Sequence, residues 1–186
     1  AGNNWFDKVT GKNMYCTEDN TVTPVGTTNA KAGNQSPRNL WSTTITDELL
    51  LATNFKSKVI GVSLKDRASI LPAGHNPTGA YWFDDTTGDF VTSSYYMNEL
   101  PKWVNDFNSK KMGADLVKNG WNTLLPIAQY TESSPDNSPW EGLQGKSKTP
   151  TFPYRNLAAE YQADKGDIRS TPFGNTLTLG IAKASI

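Results

Sequence analysis

Lys58–His75 reads KVIGVSLKDRASILPAGH, and the remainder of the chain makes sense outward from it. Its first half carries Val59, Ile60, Val62 and Leu64, an apolar run of the length of one buried strand. The run then changes abruptly to Lys65, Asp66 and Arg67. Strand side chains alternate faces, so if the extended form persists, Lys65 and Arg67 point one way and Asp66 the other. Two cations then stand side by side just past the carboxyl end of a core strand, which is where open α/β sheets bind ligands. Such a pair repels itself unless an anion lies between its members. The stretch reads as an oxyanion site.

On the amino-terminal side, Ser36-Pro37 has the form of a helix start, Ser at the cap and Pro in the first turn. Leu40, Trp41, Ile45, Leu49 and Ala52 follow at helical spacing, and the helix is expected to end near Thr53–Asn54. A helix followed by an apolar strand is the rhythm of an α/β fold with a buried, mostly parallel central sheet flanked by helices. Ala1–Val25 is rich in Asn, Gly and Thr and reads as loop with short extended pieces.

On the carboxyl-terminal side, the aromatic runs Ala80–Phe83 and Phe90–Tyr96 flank Asp84-Asp-Thr-Thr-Gly-Asp89, the pattern of a β-hairpin. Helices are expected over Glu99–Lys110, over a short turn at Ala114–Lys118, over Asn156–Ala163, and from Ser170-Thr-Pro-Phe-Gly onward. Between them Trp121–Arg155 carries five prolines and few regular signals. Irregular segments of that length are usually functional or braced from outside. The chain ends at Ile186 with no capping glycine and no polar tail, which reads as a cut, and its start without methionine leaves room for a removed upstream piece; residues 1–186 read as a single incomplete domain.

Composition narrows the function. The 186 residues carry 18 basic and 18 acidic side chains, so no basic excess argues for nucleic acid. No apolar stretch reaches the ~18 residues of a membrane span. One cysteine, Cys16, forms no internal disulfide, and one histidine, His75, rules out a histidine-rich metal site within the chain.

Each notable residue has a plainer reading beside the functional one. Lys65 and Arg67 capture phosphate or sulfate oxygens, or they are solvated cations at a strand end, with Arg67 paired to Asp66 or Asp84. Asn3 donates an amide to the same anion, or is a turn residue beside Gly2. His75 is a base or ligand, or a hydrogen-bonded structural residue. Cys16 reads as packing. Asp84, Asp85 and Asp89 lack the spacing and closing Glu of a calcium loop and fit a hairpin turn better. Tyr81, Trp82, Phe83, Tyr95 and Tyr96 form a stacking surface for a base or sugar, or cover a core.

The run VIGVSLKDRASILPAGH, followed by GAYWFDDTTGDFVTSSYYMNELPKWVNDFN, resembles the phosphate-irrepressible alkaline phosphatases of the PafA type, within the alkaline phosphatase superfamily. AGNNWFD, SPRNLWSTTITDEL and STPFGNTLTL extend the resemblance in the same order over nearly the whole chain. It implies a periplasmic or secreted phosphate monoester hydrolase with an α/β fold and two zinc ions. In that family a threonine nucleophile forms a phosphoryl-enzyme between the metals. An Asn, a Lys and an Arg hold the non-bridging phosphoryl oxygens, and the matching motif positions here are Asn3, Lys65 and Arg67. The nucleophile would precede residue 1, and the metal ligands would lie partly upstream and mostly downstream of the chain. The resemblance thus implies an internal fragment that carries the substrate-holding side, holds no zinc and is inactive alone. A phosphodiesterase or nucleotide pyrophosphatase of the same superfamily, or a non-catalytic glycan-binding module built on the aromatic hairpin, are the alternative readings.

Overall fold

The chain is described by a computed structural model over residues 3–186. Gly2, the companion of Asn3 in the expected turn, lies outside the described residues. In chain order the elements are β1 (Asn4–Asp7), β2 (Lys12–Tyr15), β3 (Pro24–Val25), α1 (Ala30–Gly33), α2 (Ile45–Ala52), β4 (Ile60–Ser63), α3 (Asp66–Ala73), β5 (Gly79–Asp84), β6 (Asp89–Ser93), α4 (Lys102–Ser109), α5 (Met112–Val117), α6 (Leu157–Ala163) and α7 (Pro172–Ala184). β1 and β2 form a separate antiparallel hairpin, with Trp5 opposite Met14. The other strands form a sheet in the order β3-β6-β5-β4.

That sheet is mixed, and the expectation of a mostly parallel one is corrected. Among the described residues, only β4 and β5 run parallel, with Val62 opposite Tyr81; β5–β6 and β6–β3 are antiparallel. The reason is connectivity. α3 is the crossover that lets β5 return parallel to β4, whereas the short turn after Asp84 forces β6 back antiparallel. The hairpin itself stands where the aromatic runs placed it.

Alternation along β5 builds two cores. Tyr81 and Phe83 face one side and meet Phe90, Val104, Phe107, Leu157, Ile168 and Ile181, supplied by β6, α4, α6, the segment leading into α7 and α7 itself. Ala80 and Trp82 face the other side with Val91, against Ile70 of α3. Every residue of β5 is buried. These aromatic side chains are core, so Tyr81, Trp82 and Phe83 offer no exposed stacking platform.

The first helix starts later than its sequence suggests. The Ser36 hydroxyl donates to Asp19 at 2.6 Å, and the Leu40 carbonyl faces His75 Nε2 at 2.9 Å. Those groups are committed elsewhere, and residues 37–40 make a turn instead. The helix begins at Ile45 behind a capping box formed by Thr44 and Asp47. Its inward residues are Asp47 and Leu50, and Trp41, Ile45 and Leu49 are exposed.

α3 was hidden by the apparent strand end. Lys65 is its N-cap with extended backbone, and Asp66 and Arg67 lie in its first turn, so the alternating-strand geometry expected for the pair is replaced by a helical one. Pro72 sits in the last turn and Gly74, at φ 79°, ends the helix. The helix lies so close to β4 that a Cβ on Gly61 would meet the Ser69 carbonyl oxygen at 2.3 Å. Gly61→Ala should therefore push α3 off the sheet and destabilise the fold by about 1–3 kcal/mol, read from the midpoint of urea unfolding.

His75 ties α2 to the loop after α3. Its backbone N–H donates to Asp47 Oδ1 at 2.8 Å, while Nδ1 faces Asp47 Oδ2 at 3.1 Å and Nε2 faces the Leu40 carbonyl. Both ring nitrogens meet acceptors, so the protonated ring satisfies both at once. The Leu40 carbonyl, then Asp47, raise the His75 pKa above its ordinary 6.5. Burial opposes ionisation of Asp47, but the hydrogen bonds from His75 and Thr44 prevail and lower its pKa. With the folded pKa of His75 above the unfolded one, its contact adds stability below pH 6.5 and loses it as pH rises through the folded value. Unfolding midpoints of wild type and His75→Gln should accordingly differ most between pH 4 and 6.5 and converge at higher pH.

Candidate functional site

The carboxyl ends of the parallel pair β4 and β5 open on a cleft of about 310 Å³. Lys65, Asp66 and Arg67 line it from the β4–α3 junction, Phe83, Asp84 and Asp85 from the end of β5, and Tyr15, Lys31 and Arg169 from elsewhere in the chain. The position past the carboxyl edge agrees with the sequence expectation, although the backbone there is helical. The first turn of α3 borders the cleft, so the positive end of an eight-residue helix adds to the two cationic side chains.

Arg67 is paired with neither Asp66 nor Asp84. Its NH1 donates to the Tyr15 hydroxyl at 2.9 Å, and that hydroxyl donates in turn to Asp66 Oδ1 at 2.7 Å. The same Asp66 oxygen accepts the Arg67 backbone N–H at 2.6 Å, which holds the carboxylate at the start of α3. Lys65 is exposed, with its backbone N–H held by Ser63 Oγ at 3.2 Å. The structure thus brings Lys65 and Arg67 to one cleft. Asn3 is not among the residues lining it. It stands exposed at the entrance to β1, where its carbonyl accepts the Cys16 N–H at 2.9 Å, at the end of the hairpin that supplies Tyr15.

Burial pushes the Tyr15 phenol up to about 12, helped by its bond to Asp66 and opposed by Arg67. The hydroxyl therefore keeps its proton through the range in which a free tyrosine, near 10, loses it.

Two contributors escaped the sequence reading. Arg169 donates through Nε and NH2 to the Leu64 carbonyl, at 3.2 and 2.8 Å, and pairs through NH1 with Asp85. Its guanidinium joins the ends of β4 and β5 and forms the back of the cleft. Tyr15 looked like part of a loop. No local pattern marks either residue, because each acts across a long stretch of chain.

The acidic residues of the hairpin are used separately. Asp84 is fully buried and accepts from Thr27 Oγ1 at 2.6 Å, Asn29 Nδ2 at 3.1 Å and the Thr86 N–H at 2.9 Å. Asp85 pairs with Arg169, and Asp89 with Lys111 at 2.7 Å. The turn reading holds for them. Cys16 is half-buried, and burial, then Asp66, raise its thiol pKa. His75 is hydrogen-bonded through both ring nitrogens, as its structural reading required.

The residues of this chain do not fit the two zinc ions that the resemblance implies. Among the described residues, no three His, Cys, Asp or Glu side chains gather into a group able to hold a metal ion. No described helix is long and apolar enough to cross a membrane.

No protein-family model matches the chain. Over all 186 residues it is 73% identical to alkaline phosphatase PafA of Elizabethkingia meningoseptica, 51% identical to a calcium-transporting ATPase of Myroides odoratus and 50% identical to alkaline phosphatase PhoV of Synechococcus elongatus. It covers 34%, 34% and 33% of their respective lengths, so the chain spans a third of the relatives it matches. The crystal structure of wild-type PafA superposes on all of it with a TM-score of 0.97 at 72% identity, and 36% of that chain is covered. A PafA variant matches as well, with a TM-score of 0.98 at 71% identity over 36% of its chain. In that variant a threonine is replaced by serine, and an asparagine, a lysine and an arginine by alanine. The last three are spaced along its chain at the same intervals as Asn3, Lys65 and Arg67 here. Matched along its entire length in sequence and in backbone, the chain corresponds to a fragment, about a third, of a PafA-type alkaline phosphatase.

Proposed function

We propose that this chain supplies the phosphoryl-holding side of a phosphate monoester hydrolase. The observation that carries the reading is the meeting of Lys65 and Arg67 in one cleft, at the carboxyl edge of a parallel strand pair. The cleft opens beside a helix amino terminus, so three sources of positive potential serve one small volume. A transferring phosphoryl group spreads its negative charge over the non-bridging oxygens, and donors already fixed there stabilise the transition state without reorganising.

The two cations have different parts. Arg67 is held at NH1 by Tyr15 and presents the rest of its planar fork to the anion. Lys65 is an exposed point charge that adapts to the second oxygen. Asn3 completes the set as a neutral amide donor. It stands at the open end of the hairpin, the same end from which Tyr15 meets Arg67, and it has a counterpart at the same interval among the substituted positions of the PafA variant. The nucleophile and the metal ions of such an enzyme belong to residues outside this chain, and no step through them is assigned to it.

A monoester carries more charge on its terminal phosphoryl group than a diester, so a pair of cations favours the monoester. This supports a phosphomonoesterase over a phosphodiesterase or nucleotide pyrophosphatase. The burial of Tyr81, Trp82 and Phe83 counts against the glycan-module reading, with Tyr95 alone of the hairpin aromatics exposed.

In the full-length enzyme, Arg67→Ala should lower monoester kcat/KM by about two to three powers of ten. A loss below about threefold, under ~1 kcal/mol, would remove Arg67 from the transition state. Diester turnover by the same variant should fall less.

A further inference from the structure

We propose that Tyr15 is a positioning residue for Arg67, a hydroxyl spacer that keeps the guanidinium off the neighbouring carboxylate and free for an anion. The inference rests on the anion-holding role given to Arg67 above.

Asp66 and Arg67 are adjacent in the first turn of α3, and Asp66 is the carboxylate nearest to hand for Arg67 to pair with. A direct pair would neutralise the charge that the cleft needs. The structure shows a relay instead. Tyr15 commits its one hydroxyl proton to Asp66 Oδ1 at 2.7 Å, so toward Arg67 it offers only lone pairs. Arg67 NH1 donates to those lone pairs at 2.9 Å. The order carboxylate, hydroxyl, guanidinium fixes each donor's direction, and linked bonds of this kind strengthen one another.

Asp66 is itself immobilised by the Arg67 backbone N–H, so the relay ends on a fixed point. Its other end is rigid as well. Tyr15 is the last residue of β2, opposite Asn4, and the backbone bond from Cys16 to Asn3 continues the hairpin beyond it. The hairpin thereby joins two proposed phosphoryl contacts, since Asn3 is bonded to Cys16, the residue that follows Tyr15. The phenol that stays protonated into the alkaline range keeps the relay intact there.

The test is a double-mutant cycle in the full-length enzyme with Tyr15→Phe and Arg67→Ala, reading monoester kcat/KM and the inhibition constant of inorganic phosphate. Phenylalanine keeps the ring and its packing, and the unfolding midpoint of each variant is followed alongside. Tyr15→Phe alone should lower kcat/KM by about tenfold and weaken phosphate inhibition by a similar factor. In the Arg67→Ala background the same substitution should change neither value by more than about twofold. An equal loss in both backgrounds would make Tyr15 a merely structural residue and overturn the proposal. A large loss for Arg67→Ala with none for Tyr15→Phe would overturn it while leaving the phosphoryl-holding role of Arg67 standing. No loss for Arg67→Ala would remove that role first, and the positioning role with it.

Discussion

The cleft depends on one guanidinium. β4 and β5 end side by side, and their last carbonyls have no further strand to pair with. A buried carbonyl left unpaired costs as much as a lost hydrogen bond. Arg169 answers this by donating twice to Leu64 and reaching Phe83 at 3.4 Å, while Asp85 balances its charge. The residue comes from the turn that leads into α7, so one contact links the sheet's carboxyl edge to the last helix. Lys65 follows Leu64 directly. Wherever Arg169 holds the Leu64 carbonyl, the start of α3 and the two cations are held too.

Around that anchor the chain uses charge in two ways. Arg169 has its charge spent, on a carboxylate and on carbonyls, and it serves architecture. Among the described residues the Arg67 guanidinium hydrogen-bonds only a phenol hydroxyl, so its charge remains available, and Lys65 keeps its charge exposed at the rim. The contrast separates the structural cation from the ligand-facing ones within one cleft. The same distinction applies to the acids. Asp84, fully buried, is consumed by the loop that carries Thr27 and Asn29, and Asp66 anchors the tyrosine relay.

Much of this was legible in the order of residues. The apolar run ending at Leu64, the cationic pair after it, the aromatic hairpin and the later helices follow from local periodicity and turn chemistry. They appear close to where those rules put them. Lys65 and Arg67 stood out because a charge change at a strand end is a local event. The errors were also physical. Ser36-Pro37 has the chemistry of a helix start, but its hydroxyl goes to Asp19, and the carbonyl of Leu40 goes to His75. Asp66 to Ala73 hid a helix because the cationic pair was read as a continuation of the preceding strand, whereas the Lys65 carbonyl accepts the Ala68 and Ser69 N–H groups and starts a helical turn.

By itself, then, the sequence determined which segments are apolar enough to be core and that two cations follow an apolar strand, which the structure places half-buried at the sheet edge. The matched motifs, running the length of the chain, pointed to the PafA-type enzyme of which it corresponds to a part. Only the tertiary structure decided strand direction, because parallel and antiparallel neighbours share the same alternation and differ in how they are connected. It alone decided that Tyr15 and Arg169 belong to the cleft. Hydrogen bonds between residues 52 or 105 positions apart leave no trace in local spacing, since they exist only once the sheet brings distant segments within reach of one another.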